Sequence, residues 1–183
     1  MYFASDGGKN YPTGIYILDS DTGVSLGRLS EEGVTFGGTP KRNVLAVTTS
    51  GRIFHQDSPG DIIMWQNETM APQRVYDDPE NDENAQDIAA ITTGADTWVY
   101  TLHYTSRTVR IFRLNGAVLE QANSFVYGNT SIPQARSITV SPDGRKVYLA
   151  NSSAIMRCIS ASGPSGAYSS DETFVAHAPS ADI

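Results

Sequence analysis

TVRIFRLNG, at residues 108–116, is a short run of branched and aromatic residues that ends in a polar Asn-Gly turn. Three other stretches follow the same plan: GIYILDSDTG at 14–23, DIIMWQNETM at 61–70 and AIMRCISASG at 154–163. The first apolar strand residues of the four copies, separated by 47, 47 and 46 positions, are Ile15, Ile62, Val109 and Ile155. A unit that recurs at a nearly constant period predicts a fold assembled from structural repeats.

Each of these runs belongs to a group of candidate strands. Its turn leads into a second run, so the pair predicts a hairpin, and Asn115-Gly116 is the strongest turn signal among them. A further strand precedes every hairpin: MYFASD (1–6), NVLAVTT (43–49), TWVYTLHY (97–104) and KVYLANS (146–152). In the last three copies an inner strand comes before it: GVTFGG (33–38), DIAAITT (87–93) and ARSITVS (135–141). Four antiparallel strands at this period are what a β-propeller blade needs, since each small sheet buries its faces against neighbouring blades.

The sequence therefore predicts an all-β chain, a β-propeller of about four blades of four antiparallel strands, on its own or as part of a larger propeller. The whole chain, 1–183, forms one domain or partial propeller. Its expected parts are blade one at 1–30 without its inner strand, blade two at 33–78, blade three at 87–126, blade four at 134–175, and a tail at 176–183. The alternative is a β-sandwich, which also has frequent turns but gives no reason for a constant four-strand period.

The missing inner strand of blade one leaves closure of the ring open. The end of the chain, FVAHAPSADI at 174–183, could supply that strand and close a four-bladed ring. Alternatively the chain is a piece of a propeller of six to eight blades, or two copies associate to complete one larger ring. Because no disulfide is available to staple a small ring, a piece or an associating half is favoured.

Composition limits the partners. The net charge of −7 and the pI of about 4.8 argue against a nucleic acid or an anionic membrane surface, because both would be repelled. The single cysteine, Cys158, lies in an apolar β run and is expected to be a buried thiol. No stretch approaches the ~20 apolar residues of a membrane span. The start of the chain as given lacks the features of a signal peptide, so a soluble protein is expected. If the chain is a fragment, an extracytoplasmic location stays open.

One segment carries a family resemblance. Residues 135–152, ARSITVSPDGRKVYLANS, resemble the repeat of the YVTN-type β-propellers. The matching residues are Arg136, Ile138, Ser141, Pro142, Asp143, Gly144, Tyr148 and Asn151. Ser-Pro-Asp-Gly is a tight turn, in which Pro presets φ, Asp bonds nearby backbone and Gly takes a positive φ. In blades two and three, Gly38-Thr39-Pro40-Lys41 and Gly94-Ala95-Asp96 are expected to replace it.

Proteins with similar repeats include lactonases of the phosphogluconolactonase and muconate-cyclase type. In those seven-bladed enzymes the inner strands often begin Pro-Arg-His, with the Arg and His facing the central channel. Arg136 matches the Arg, whereas Ser137 stands where the His would be. The resemblance implies a lactone hydrolase with Arg136 at the channel and a histidine, His103 or His55, beside it.

The three histidines show no metal-binding spacing. His55 is expected in a long loop of blade two, His103 in a strand, and His177 in the tail. Separate histidines are therefore favoured over a metal site. The two tryptophans, Trp65 and Trp98, are expected to pack blade against blade.

The acidic segment 77–87, DDPENDENAQD, joins two blades. Clustered carboxylates suit calcium, and the weak candidates are Asp77, Asp78, Glu80, Asp82, Glu83 and Asp87. A solvated connector is the favoured interpretation, because the spacing of an EF-hand loop is missing. No other cofactor is predicted.

The main functional hypothesis is a non-catalytic propeller that binds a protein or small-molecule partner through its loop face or central channel. The alternative is the lactonase-like hydrolase. No serine elbow or phosphate-binding glycine loop is present in the sequence.

Overall fold

The computed structural model describes residues 1–5, 14–32, 44–56, 60–78, 85–128, 134–152 and 154–177. These residues form β-strands and one short 3₁₀ turn, Gly163–Ser165. The strands are β1 Tyr2–Ser5, β2 Gly14–Leu18, β3 Ser25–Arg28, β4 Val44–Val47, β5 Ile53–Gln56, β6 Ile62–Trp65, β7 Gln73–Tyr76, β8 Asp87–Thr93, β9 Asp96–His103, β10 Thr108–Asn115, β11 Val118–Val126, β12 Ser137–Val140, β13 Lys146–Ala150, β14 Ala154–Ile159 and β15 Ser169–His177. Over the described ranges, no helix has the length and apolar character needed to cross a membrane.

The strands form four antiparallel sheets, each a meander of consecutive strands. Sheet one is β1-β2-β3, sheet two β4-β5-β6-β7, sheet three β8-β9-β10-β11 and sheet four β12-β13-β14-β15. The all-β prediction is confirmed. The described part of sheet one has three strands, as expected from its missing inner strand.

The sheets stack face to face in chain order. The inner strand β8 contacts β4 on one side and β12 on the other, and the outer strands β7 and β11 also meet. A separate apolar core fills each gap between successive sheets. Inner strands that meet while sheets pack through their faces give the architecture its β-propeller-like character.

Strand β6 shows how a middle sheet is held. Successive side chains of a strand point to opposite faces. Ile62 and Met64 accordingly enter the core shared with sheet three, and Ile63 and Trp65 enter the core shared with sheet one. All four are fully buried, so the strand reads as a continuous apolar run.

The tryptophans pack between sheets, as predicted. Trp65 lies in the core between sheets one and two, where its indole N–H donates to the carbonyl of Ser30 at 2.8 Å. Trp98 lies in the core between sheets three and four. Each thus buries a large apolar surface, and the buried N–H of Trp65 has its acceptor.

The Ser-Pro-Asp-Gly turn between β12 and β13 is held by its own side chains. The Asp143 carboxylate accepts hydrogen bonds from Ser141 Oγ at 2.6 Å and from the Arg145 N–H at 3.0 Å. These bonds, chiefly the one from Ser141, lower the pKa of Asp143. Gly144 takes the positive φ of +70° that closes the turn.

The predicted phase of blade two is wrong. NVLAV is the inner strand β4, and the second strand is β5, in the stretch that was expected to be a long loop. The corresponding turn is Thr48 to Gly51, where the Gly51 N–H donates to the Thr48 carbonyl at 3.0 Å and φ is +84°. Gly38-Thr39-Pro40-Lys41 and the expected inner strand at 33–38 lie outside the described residues. The error arose because β5 contains His and Gln among its buried residues, and its sequence does not alternate between apolar and polar residues.

The expected boundary of the tail is also wrong. Strand β15 continues to His177, where Ala176 pairs with Ile155 and His177 with Ala154. Residues 174–177 therefore extend the outer strand of sheet four and cannot form the inner strand of sheet one. Residues 178–183 lie outside the described part of the chain.

Candidate functional site

Inner strands β8 and β12 begin at the same end of sheets three and four. Because neighbouring strands are antiparallel, β9 finishes at this end, and Asp87 pairs with Leu102. We call the group formed by Asp87, His103, Tyr104, Arg136 and Ser137 the loop-end cluster. It brings together two of the residues singled out from the sequence as catalytic candidates, Arg136 and His103.

Arg136 is the exposed cation of the loop-end cluster. Its guanidinium lies over the Tyr104 ring, 5.6 Å from the ring centroid. Its backbone N–H donates to the Ala150 carbonyl at 2.7 Å, which fixes the residue to sheet four. Among the residues that the structure describes, no carboxylate forms an ion pair with this guanidinium. Since arginine stays protonated at any physiological pH, this is a positive group available to an anion.

Tyr127 positions the two partners of this contact. Its buried hydroxyl donates to the His103 carbonyl at 3.2 Å and accepts from the Ala135 N–H at 3.3 Å. The residues that immediately follow these two backbone groups are Tyr104 and Arg136. One phenol therefore ties the end of β9 to the chain that enters β12.

Asp87 makes a second connection between the inner strands. Its Oδ2 accepts from Ser137 Oγ and from the Ile138 N–H, both at 2.9 Å, and its Oδ1 accepts from the Ile88 N–H at 2.9 Å. Ser137 stands at the position where the lactonase repeat has His, and its hydroxyl is engaged in this hydrogen bond to the carboxylate. The role of Asp87 is therefore structural, because its carboxylate links sheet four to sheet three.

The two described histidine side chains are buried on different sheets. His103 closes β9, and its Nε2 is 2.9 Å from Thr101 Oγ1. His55 lies on β5, where Nδ1 donates to the Val44 carbonyl at 3.0 Å. Burial lowers the pKa of His55 to about 4, so it is neutral at pH 7. The side chain of His177 lies outside the described part of the chain.

The carboxylates of the acidic segment have separate surroundings. Asp77 is exposed, with Oδ1 3.8 Å from Arg74 Nη1. Asp78 is buried, and its N–H donates to Asp61 Oδ1 at 3.1 Å. The described residues contain no group of three or more metal-binding side chains. Glu80, Asp82 and Glu83 lie outside them, so the favoured prediction of a solvated connector and its weaker alternative, a calcium site, are both untested there.

Cys158 is a buried thiol, as predicted. It belongs to the core between sheets three and four, and burial raises its pKa to about 11. The thiolate that a nucleophile requires is therefore almost absent at neutral pH.

Sequence reasoning missed Tyr104 and Tyr127. Tyr104 is the last residue of the predicted strand 97–104, and Tyr127 follows the predicted outer strand of the same blade. Both strands end on the side where β12 begins, and this shared end is the signal that the sequence offered. Their contacts with the Arg136 segment cross between two sheets, so no local pattern announces them.

Comparison with protein-family models finds no match, and comparison with curated proteins finds none. Among solved structures, the chain is similar to a putative 6-phosphogluconolactonase from Bacteroides fragilis, with a TM-score of 0.60 and 13% identity over 90% of this chain and 48% of that one. It is also similar to a putative 6-phosphogluconolactonase from Bacteroides uniformis, with a TM-score of 0.51 and 16% identity over 86% and 49% of the two chains. The chain therefore spans about half the length of these structures, whose likeness concerns the fold.

Proposed function

We propose that the chain contributes to a lactonase-like site, in which Arg136 binds the anionic group of a phosphorylated sugar lactone. The observation that carries this proposal is the exposed guanidinium of Arg136, held over Tyr104 without a carboxylate partner among the described residues. The similar structures favour this hypothesis over the non-catalytic scaffold, because both are named for a reaction on such a lactone.

The geometry suits anion binding at a fixed point. A guanidinium presents a planar set of donors that matches two oxygens of a phosphate. Tyr104 supports one face of the guanidinium, and Tyr127 together with Asp87 holds the backbone on either side of Arg136. The net charge of −7 repels anions at long range, so a local cation is needed to retain this substrate.

Lactone hydrolysis adds water to the ring carbonyl and breaks the bond from the carbonyl carbon to the ring oxygen. The ring oxygen then takes a proton, which gives the open hydroxy acid. Arg136 supplies binding and charge stabilisation in this scheme. Asp87 and His103 are held by structural hydrogen bonds, so neither is assigned as the base that activates water.

The test is the rate of ring opening of 6-phosphogluconolactone, corrected for spontaneous hydrolysis, with uncharged gluconolactone beside it. We expect Arg136→Ala to lower kcat/KM for the phosphorylated lactone by about 10- to 100-fold, the worth of a charge-assisted hydrogen bond of about 1.5–3 kcal/mol. The same variant should show a much smaller fall in kcat/KM for the uncharged lactone. Arg136→Lys should recover part of the rate, because the charge returns without the planar fork.

Arg113→Ala is the matched control. Arg113 also lies over an aromatic ring, 5.8 Å from the Trp98 centroid, but at the opposite end of sheet three. Its guanidinium is paired with Asp96 at 2.7 Å. This variant should keep the wild-type rate. An equal loss in both variants, or a wild-type protein that does not accelerate ring opening, contradicts the proposal. Binding of the hydroxy acid without turnover would support the scaffold hypothesis instead.

A further inference from the structure

Arg52 lies at the end of the sheets opposite the loop-end cluster, where the turn from β4 enters β5. Its side chain is half-buried. Among the residues of the described ranges, no carboxylate forms an ion pair with it. Taking a charge out of water is costly unless an opposite charge or hydrogen bonds compensate it. The opposite charge is the part that the described chain does not supply to Arg52.

Two neutral acceptors fix the orientation of this guanidinium. Nε donates to Gln66 Oε1 at 2.9 Å within sheet two, and Nη1 donates to Thr97 Oγ1 at 2.8 Å across the gap to sheet three. Thr97 is itself buried. The described residues offer no acceptor to Nη2. Because a guanidinium has five N–H donors, Arg52 is held in place and still has donors for a ligand.

Hydroxyl groups line the same gap. Ser50 Oγ is 2.9 Å from Thr48 Oγ1 and 3.4 Å from Thr92 Oγ1 on the inner strand β8. Thr92 is paired directly with Thr97, the residue that accepts from Arg52. Directly opposed residues on one face of a sheet have Cβ atoms about 4.5–5.5 Å apart. The guanidinium and the pair of hydroxyls are therefore neighbours, separated by about the width of a small anion.

We propose that Arg52, Ser50 and Thr92 form a binding site for a tetrahedral oxyanion, phosphate or sulfate, between sheets two and three. The guanidinium supplies the positive charge, and the two hydroxyls donate to further oxygens of the anion. The bound anion links the turn of sheet two to the inner strand of sheet three. Since it binds the folded arrangement only, it should raise the stability of the chain.

The other face of sheet three, at the same end, shows the alternative arrangement. There Arg113 is paired with Asp96 at 2.7 Å and lies over the Trp98 ring. A carboxylate of the chain supplies the negative charge, so no external anion is needed. Arg113 is therefore the matched control for Arg52.

The test is the melting temperature of the full chain at neutral pH in millimolar phosphate or sulfate, with chloride added to keep the ionic strength constant. All variants carry Arg136→Ala, so that anion binding to Arg136 does not contribute. We expect both oxyanions to raise the melting temperature. Arg52→Gln should weaken phosphate binding by about 10- to 100-fold, as expected for the loss of hydrogen bonds from a charged donor. Arg113→Gln should keep the full rise, and Arg52→Lys should recover part of it.

Ser50→Ala separates anion binding from a structural role of the guanidinium. This variant leaves the bonds from Arg52 to Gln66 and Thr97 in place. It should reduce the rise in phosphate while the melting temperature in chloride alone changes little. If Arg52→Gln does not fold, Ser50→Ala and Thr92→Val give the measurement.

Three results would overturn the proposal. The first is a melting temperature that phosphate and sulfate do not raise in the Arg136→Ala background; if the chain with Arg136 does show a rise, the anion binds at Arg136 instead. The second is an equal rise with and without Arg52→Gln and Ser50→Ala, which leaves Arg52 as a link between sheets only. The third is an equal rise in acetate, which excludes selection of a tetrahedral anion. Because the background lacks Arg136, the outcome is independent of lactone hydrolysis.

Discussion

Sheets two and four are copies of one repeat, but they are covered differently. All four residues of β6 in sheet two are buried, whereas β14 in sheet four alternates between buried and exposed residues. The sharper repeat motif, with its Ser-Pro-Asp-Gly turn, belongs to the less covered sheet. Position in the stack, rather than closeness to the repeat motif, decides how much apolar surface a sheet buries.

The largest expected difference is in the free energy of unfolding, and it concerns Ile62 and Ile155, the first apolar residues of the third strands of sheets two and four. Ile62→Ala should lower the free energy of unfolding by about 2–5 kcal/mol, because it leaves a cavity in a closed core. Ile155→Ala should lower it by well under half of that, since the Ile155 side chain is partly solvated already. Urea unfolding measures both losses. Equal losses in the two variants would show that the two positions are covered alike.

The next effect is acid sensitivity in sheet two. His55 stands where sheet four has Leu149, and burial lowers the pKa of His55 from 6.5 to about 4. As pH falls from 6.5 to 4, the unfolded chain takes up a proton that the folded chain refuses, so stability is lost in this window. The loss should reach about 3 kcal/mol, since one pKa unit is worth about 1.4 kcal/mol.

His55→Leu gives sheet two the residue type that sheet four has at Leu149. This variant should flatten the dependence of the free energy of unfolding on pH between 6.5 and 4. Urea unfolding between pH 7 and pH 4 measures the slope. Asp19 and Asp143 have a pKa below 3.8, so their own losses fall at lower pH. An unchanged slope in the variant would assign the acid sensitivity to other groups.

A smaller effect is expected from exchanging the turns. Asp143 bonds Ser141 and Arg145, and Ser50 occupies the corresponding position in sheet two. Asp143→Ser should lower the melting temperature slightly, and Ser50→Asp should raise it, because an ionised carboxylate accepts stronger hydrogen bonds. The Asp143→Ser difference should shrink as pH falls below 3.8, where the unfolded chain takes up the proton first, and should vanish below the lowered pKa of the folded carboxylate. A difference that persists there would have another origin.

The smallest change compares the two faces of sheet four without altering stability. Cys158 lies on the covered face, and its thiol has a pKa raised to about 11. It should resist iodoacetamide in the native protein and react in urea. In Ile155→Cys, a thiol on the opposite and exposed face of sheet four should react under native conditions. Rapid native labelling of Cys158 would show that the core between sheets three and four opens easily.

The sequence predicted sheets three and four strand by strand, because their strands are bounded by strong turns such as Asn115-Gly116 and Ser-Pro-Asp-Gly. In sheet two the strand assignment was shifted by one, because the inner strand β4 was predicted to be the second strand. Its turn, Thr48 to Gly51, lacks Pro and Asp, and β5 is buried on both sides, so neither turn chemistry nor alternation marked it.

The candidate site could be predicted only in part. Arg136 followed from the repeat motif, but its support by Tyr104 depends on how two sheets meet. The burial of His55 and His103 likewise depends on packing, because an isolated histidine in a sequence reads equally well as exposed or buried.

Among the described residues, each sheet is built from consecutive strands and packs on its neighbours in the chain, and this arrangement determines how the protein should respond to a pulling force. Tension applied to the two ends should release the described sheets one after another, starting with sheet one or sheet four. Sheet three, residues 87–126, would then give up roughly 140 Å of chain, at about 3.5 Å for each extended residue. A middle sheet should unfold only after a neighbouring sheet has unfolded. The order of the extension steps therefore reports the order in which the sheets are stacked.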